Sequence, residues 1–289
     1  PTMAIDGTER TRQARKFWDH SADWNIHRAI YDSEAVRDEK TKLQAFDESG
    51  VHDARNLASY VHSGARVVDL GCGIGRVMRP LAPLCREIIG IDISEKMIKS
   101  GREYLAGVKG ARLVQTNGAE IPTVADGSVD FLYSLICLIH VDKRTAFRYL
   151  REVKRVLAPN GMVLLQFENL LSPEGLAEFQ RVVDLDIEYP LEFYTQEEVR
   201  RIAGAVGLNV INFREDHQFL FAALSRESRE DWIRSVNEGI TIDQREASGV
   251  FGGGGKEGRI VAEVSSRLAT PFSLQFNGQL VSQKDNRLI

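Results

Sequence analysis

Three glycines spaced two apart, with a carboxylate on either side of them, are the residues of this chain best placed to do chemistry. Gly71, Gly73 and Gly75 follow the apolar run Val67-Val68-Asp69-Leu70, and Arg76-Val77-Met78-Arg79 resumes a helical pattern after them. Strand, tight turn and helix in that order leave backbone exposed at a sheet edge, because glycine accepts positive φ and has no Cβ to hold a ligand off. Nucleotide-type ligands bind at such a helix start. Asp92 stands 21 residues beyond Gly71 and closes a second apolar run, Glu87-Ile88-Ile89-Gly90-Ile91. A carboxylate there can accept two hydrogen bonds from a ribose diol. The dinucleotide pattern G-x-G-x-x-G would put its last glycine at position 76, where this chain has Arg76, so the spacing counts against a nicotinamide cofactor and hydride transfer.

An acidic residue on a strand followed by Gly-x-Gly-x-Gly resembles the first motif of the class I S-adenosylmethionine-dependent methyltransferases, with Asp69, Gly71, Gly73 and Gly75 in the family's positions. A third strand, residues 111–115, leads into Asn117-Gly118-Ala119-Glu120-Ile121-Pro122. That segment is similar to the family's Asp-Ala-x-x-Leu-Pro, with Asn117 in place of the acid. A carboxamide oxygen can still accept a bond from an adenine amino group, and Asn117-Gly118 reads equally as a simple turn. The resemblance continues through a fourth strand at residues 128–134 and a helix, turn and strand at residues 150–167, and covers about residues 60–224.

The resemblance implies S-adenosyl-L-methionine as cofactor and a Rossmann-like, mostly parallel sheet of seven strands with an antiparallel last strand. Its cofactor contacts fall on Asp69, Gly71, Cys72, Gly73 and Gly75, on Asp92, Ile93 and Met97, on Asn117, Gly118 and Ala119, and on Ser134. Asp69 would support the glycine turn and the methionine ammonium. The implied reaction is methyl transfer to an oxygen or nitrogen of a small-molecule acceptor, a metabolite or natural-product intermediate. A protein or nucleic-acid acceptor has less support, because Ser134-Leu135-Ile136-Cys137 stands where an Asn-Pro-Pro-Tyr-type motif would be. The motifs alone are equally consistent with a protein that binds the cofactor without catalysis.

A methyl group on a sulfonium is already activated, so alignment of the acceptor and exclusion of water are the main requirements. A hydroxyl acceptor would gain about 10²- to 10⁴-fold from a general base. His140 is the candidate, since it follows the fourth strand at the sheet's carboxyl edge.

Other elements must position these groups. Within an expected N-terminal cap of residues 1–62, residues 8–62 show helical periodicity and no strand pattern: Ala14, Phe17, Trp18 and Ala22 share a face, followed by Ile26, Ile30 and Tyr31, then Leu43, Phe46, Leu57 and Val61. Two or three helices are expected there as a cap, which in the resembled family lies over the cofactor. The resemblance implies a cofactor-binding domain over residues 63–224, with a substrate-side insertion expected at residues 169–194. Thr195-Gln196-Glu197-Glu198 reads as a capping box, and two final strands follow as an antiparallel pair. Residues 225–289 are expected to add a helix near Trp232 and Val236 and a small β appendage beyond Gly252, for homodimer contacts or the substrate pocket.

Composition limits the partners. The 41 acidic and 37 basic residues are interspersed and leave a net charge of −4. Neither a phosphate-tracking groove nor an anionic membrane face is indicated. No apolar run approaches the ~20 residues of a spanning helix, and the start has no leader-like pattern. Pro1 and Thr2 ahead of Met3 read as added residues, and the cytoplasm is the expected location. Cys72, Cys85 and Cys137 have no metal-ligand spacing and read as reduced thiols, with no metal expected.

Overall fold

Five β-branched, apolar segments pair side by side in the computed structural model, which describes residues 9–25, 39–184, 191–228, 281–282 and 287–288. They are β1 (Arg66–Leu70), β2 (Glu87–Asp92), β3 (Ala111–Gln115), β4 (Val129–Ser134) and β5 (Leu157–Asn169). All pair in parallel, with β1 between β2 and β4. The chain therefore leaves β1 in both directions, and a crevice opens beyond its carboxyl end, where α/β sheets bind ligands. After β5 come β6 (Phe193–Tyr194), β7 (Asn209–Asp216) and β8 (Phe219–Ser225). The order is β3-β2-β1-β4-β5-β8-β7, with β6 pairing alongside β5. The last strand, β8, runs antiparallel to both neighbours. The expected mostly parallel sheet is thus present with β6 as an eighth strand.

Alternation along the central strands supplies two cores. Val68, Leu70, Ile89, Ile91 and Leu132 face one side, under α5 (Lys143–Val156) and α7 (Gln196–Ala205). Val67, Ile88, Phe131 and Tyr133 face the other, with Leu57 of α2 (Glu39–Leu57) and with Met78 and Leu81 of α3 (Met78–Leu81). Strands buried on both faces read as continuous apolar runs. Of the expected N-terminal helices, α1 (Glu9–Asn25) and α2 are described, and α4 (Glu95–Tyr104) follows β2. Ile26, Ile30 and Tyr31 lie outside the described residues.

The helix after the glycine turn is a single α turn, α3, continued as a short 3-10 turn at Ala82–Leu84, because Pro80 and Pro83 remove donors that a longer ladder needs. One segment departs from the sequence pattern. The turn expected at Ala158-Pro159-Asn160-Gly161 lies inside β5. Register with β4 slips between Val129 and Phe131, so that Leu157 and Met162 pair with residues two apart. A bulge takes up the excess, and it is one of the few places a strand accepts proline.

Within residues 169–194, α6 (Pro173–Asp184) follows β5. Of residues 225–289, the two-residue strands β9 (Val281–Ser282) and β10 (Arg287–Leu288) pair antiparallel. The helix expected near Trp232 and the earlier appendage strands lie outside the described residues.

Candidate functional site

The glycine turn is fastened from β2. Gly71 and Cys72 donate to the Ile91 carbonyl at 2.7 and 3.1 Å, and Gly73 donates to Asp92 Oδ2 at 2.9 Å. Gly71 has φ 81°, and a Cβ there would overlap the Cys137 thiol and its Cβ, so position 71 needs glycine for both conformation and space.

The other Asp92 oxygen, Oδ1, accepts from Ser94 N–H at 2.9 Å. A carboxylate has about four acceptor positions, so the backbone N–H groups around Asp92 do not fill it, and it can still accept from a ribose hydroxyl. Burial raises the Asp92 pKa, and backbone N–H bonds from Ser94, Gly73 and Ile93 oppose that rise. Ser94 caps α4 by accepting from Met97 N–H at 3.1 Å. Its hydroxyl donates to Asp19 Oδ1 of α1 at 2.6 Å, which ties the N-terminal helix to the site.

Asp69 is 4% exposed and accepts from the Tyr133 hydroxyl at 2.8 Å. Burial pushes its carboxyl up to about 7. The Tyr133 bond and the Arg76 charge pull it down, while the charges of Asp92 and Asp53 add to the rise. The Arg76 guanidinium reaches into α2, with Nη1 donating to Ser49 Oγ at 3.0 Å and Nη2 to Asp53 Oδ2 at 2.6 Å.

Around these groups lies a cavity of about 500 Å³, lined by Asp69, Gly71, Cys72, Gly73, Asp92, Ile93, Met97, Gly118 and His140 among the residues singled out from sequence. Gly75, Asn117, Ala119 and Ser134 do not line it. Asn117 Oδ1 accepts from Ala119 N–H at 3.1 Å, closing a local turn. The Ser134 hydroxyl donates to the Leu70 carbonyl at 2.8 Å and joins β4 to β1. Gly75, at φ 92°, faces Leu105.

At the Gly118 end the walls close together. A Cβ on Gly118, whose φ is 90°, would stand 2.7 Å from Ile93 Cδ1 and 3.1 Å from the Thr11 side chain, so that position needs glycine for both conformation and close packing. The cavity's apolar walls, with Asp92 on one of them, fit a nucleoside whose ribose Asp92 would hold.

His140 is 8% exposed, in a 3-10 turn at Leu138–His140, with its ring 5.3 Å from that of Trp18. Among the described residues, no group of three or more His, Cys, Asp or Glu could hold a metal ion.

Sequence reasoning did not find Arg76 and Tyr133 as partners of Asp69, nor Thr11 and Tyr149 as cavity walls. One signal was present for Tyr133: it is opposite Asp69 in the β1–β4 register, and strand alternation puts the two on one face. Phe17 and Trp18, which share the apolar face of α1, also line the cavity.

Residues 68–165 match the model of a methyltransferase domain family. A demethylmenaquinone methyltransferase of Staphylococcus aureus is 28% identical over 144 residues, which cover 48% of this chain and 58% of that protein. The chain therefore spans less than two thirds of the length of the curated relatives it matches. Among solved structures, magnesium protoporphyrin IX methyltransferase from Synechocystis PCC 6803, crystallised with bound SAH, superposes with a TM-score of 0.57 at 19% identity, covering 75% of this chain and 99% of that one. An S-adenosylmethionine-dependent methyltransferase from Mesorhizobium loti gives 0.51 at 19% identity, over 62% of this chain and 99% of its own. At these identities the structures establish a shared fold. Sheet order and glycine turn agree with the methyltransferase domain family whose model residues 68–165 match, and the fold is the one these solved methyltransferases share.

Proposed function

We propose that the chain transfers a methyl group from S-adenosylmethionine to an oxygen or nitrogen of a small-molecule acceptor, a metabolite or natural-product intermediate. The observation that carries this reading is the glycine turn, tied by Gly73 N–H to Asp92, opening with Asp69 and Asp92 onto one cavity of about 500 Å³. The small-molecule class is supported by the relatives, a demethylmenaquinone and a magnesium protoporphyrin IX methyltransferase. No described helix is long and apolar enough to cross a membrane, and a cytoplasmic location belongs to the same reading.

When bound, the cofactor supplies a methyl group activated on a sulfonium. Asp92 holds the ribose, and Gly118, Ile93 and Thr11 hold the base. Asp69 accepts from the amino-acid ammonium below the glycine turn. Phe17 and Trp18 of α1 cover the cavity and exclude water, which favours alignment of the two reactants. His140 receives the proton of a hydroxyl acceptor, and a neutral amine needs less assistance.

Calorimetric titration with S-adenosylmethionine, S-adenosylhomocysteine and NAD tests the reading. Binding of both sulfur compounds and not of NAD is expected, followed by turnover in an acceptor screen. NAD binding alone would refute it. His140→Ala should lower kcat by about 10²-fold or more with a hydroxyl acceptor and leave the cofactor Kd unchanged; intact turnover would remove His140 from the mechanism.

A further inference from the structure

Ile136, just beyond the end of β4, combines a strained backbone with a place on the cavity wall. Its φ is 55°, in the left-handed region, where a β-branched side chain crowds the backbone and glycine or asparagine does not. Among the described residues, Thr123 and His217 are the other non-glycine positions with positive φ; both stand in turns, and neither lines the cavity. The chain on either side of Ile136 enforces its conformation. Ile136 N–H donates to Gln166 Oε1 at 3.1 Å, and Gln166 is 4% exposed on β5. The next residue is held as well: the Cys137 thiol fills the space beside Gly71, and the Cys137 carbonyl accepts from His140 N–H at 2.9 Å.

Stability does not account for an isoleucine in that position. The side chain is 36% exposed and recovers only part of the free energy of burial, whereas glycine or asparagine would take the same φ without strain. Strain of this kind persists where it serves a site. Ile136 lines the cavity with Leu135 and Val141, and the rings of Phe17, Trp18 and His140 line it too. Phe17 meets Trp18 edge to face at 5.2 Å, and Trp18 meets His140 at 5.3 Å. The charged groups nearest in sequence to these, Arg10 and Asp142, face each other at 3.5 Å. An acceptor beside His140 therefore meets rings and aliphatic carbon.

We infer that Ile136 is a specificity-determining residue for the acceptor, that Gln166 is its positioning residue, and that the acceptor is a hydroxyl carried on an aromatic ring. The inference rests on the methyl-donor reading and names the substrate class of that site. The ring lies against Phe17 and Trp18 with its hydroxyl at His140, and the stiff, β-branched Ile136 side chain limits how it can sit.

The test is calorimetric, on the chain saturated with S-adenosylhomocysteine, with 2-naphthol as the ring-borne hydroxyl and inositol as a ring of hydroxyls without an apolar edge. The wild type should bind 2-naphthol more tightly than inositol by about 10-fold or more. Ile136→Gly should weaken 2-naphthol by about 10-fold, the worth of a partly buried aliphatic side chain, while S-adenosylhomocysteine binds as before and Tm holds or rises because glycine relieves the strain. Ile136→Val should stay within about 3-fold of the wild type. Gln166→Leu should weaken 2-naphthol by about 3- to 10-fold when position 136 is isoleucine and have no effect when it is glycine, since Gln166 acts through Ile136.

Inositol binding as tightly as 2-naphthol, no binding of 2-naphthol, or an unchanged 2-naphthol affinity in Ile136→Gly overturns the inference. So does a Gln166→Leu effect of equal size in both backgrounds, which is what a merely structural role would give. Should Gln166→Leu fail to fold, Gln166→Met makes the same comparison. If S-adenosylhomocysteine does not bind the wild type, the donor reading itself has failed, and that result is distinct from the others.

Discussion

At the scale of single residues, the site depends on a few buried polar atoms whose partners come from distant parts of the chain. Asp92→Ala removes the acceptor for both Gly73 and Ser94 N–H as well as the proposed ribose contact. It should weaken S-adenosylhomocysteine binding by about 100-fold, with Asp92→Asn intermediate. Asp69 is the pH-sensitive group. Its carboxyl is raised in the folded chain from 3.8 to about 7, so its contribution to stability is full below pH 4 and is lost as pH rises through 7. In the ligand-free chain, Asp69→Asn keeps an acceptor for Tyr133 and should remove that slope, gaining on the wild type between pH 4 and 7 in thermal melts. A constant offset across that range would contradict the assignment. Asp69, Gly71 and Asp92 were legible in the sequence because their residue type and spacing are themselves the signal. Arg76 was not, because its role depends on Ser49 and Asp53, 27 and 23 residues earlier, and no local pattern records that contact.

Among the elements, α1 carries the largest consequence for function. It is joined to the sheet domain by Asp19 on Ser94 and by Trp18 against His140, and a Lys96–Asp23 ion pair lies on the exposed side. Surface pairs of that kind contribute little, so the buried contacts decide whether α1 stays closed. Hydrogen exchange across residues 9–25 should slow when S-adenosylhomocysteine binds, and Asp19→Ala should reduce that protection without altering exchange in β1. Exchange in α1 indifferent to ligand would mean that the helix does not close over it. The apolar face of α1 was readable from the spacing of Ala14, Phe17, Trp18 and Ala22, though not which part of the sheet it would cover. Local rules caught the break that Pro80 and Pro83 impose on α3 and misread β5, where pairing with β4 and β8 drew a proline-glycine turn into a strand.

For the whole molecule, the apolar runs made the individual strands legible, and the mostly parallel sheet with its antiparallel strand came from the resemblance that the glycine turn carries. The strand β6 was not, since two residues carry no periodicity and pair only because β5 continues far enough to meet them at Glu168 and Asn169. Ligand binding to the folded state alone adds about 2.7 kcal/mol at a hundred times Kd. For a chain of this size, S-adenosylhomocysteine should therefore raise Tm by about 5–10 °C, and the shift should vanish in Asp92→Ala. The contact at Gly118 has a further consequence. Thr11, which packs there, belongs to α1 and not to the loop after β3, and with Phe17 and Trp18 it makes one cavity wall the property of a separate helix. Exchanging α1 for another amphipathic helix would thus recast that wall as an interchangeable part, with the sheet and its glycine turn untouched.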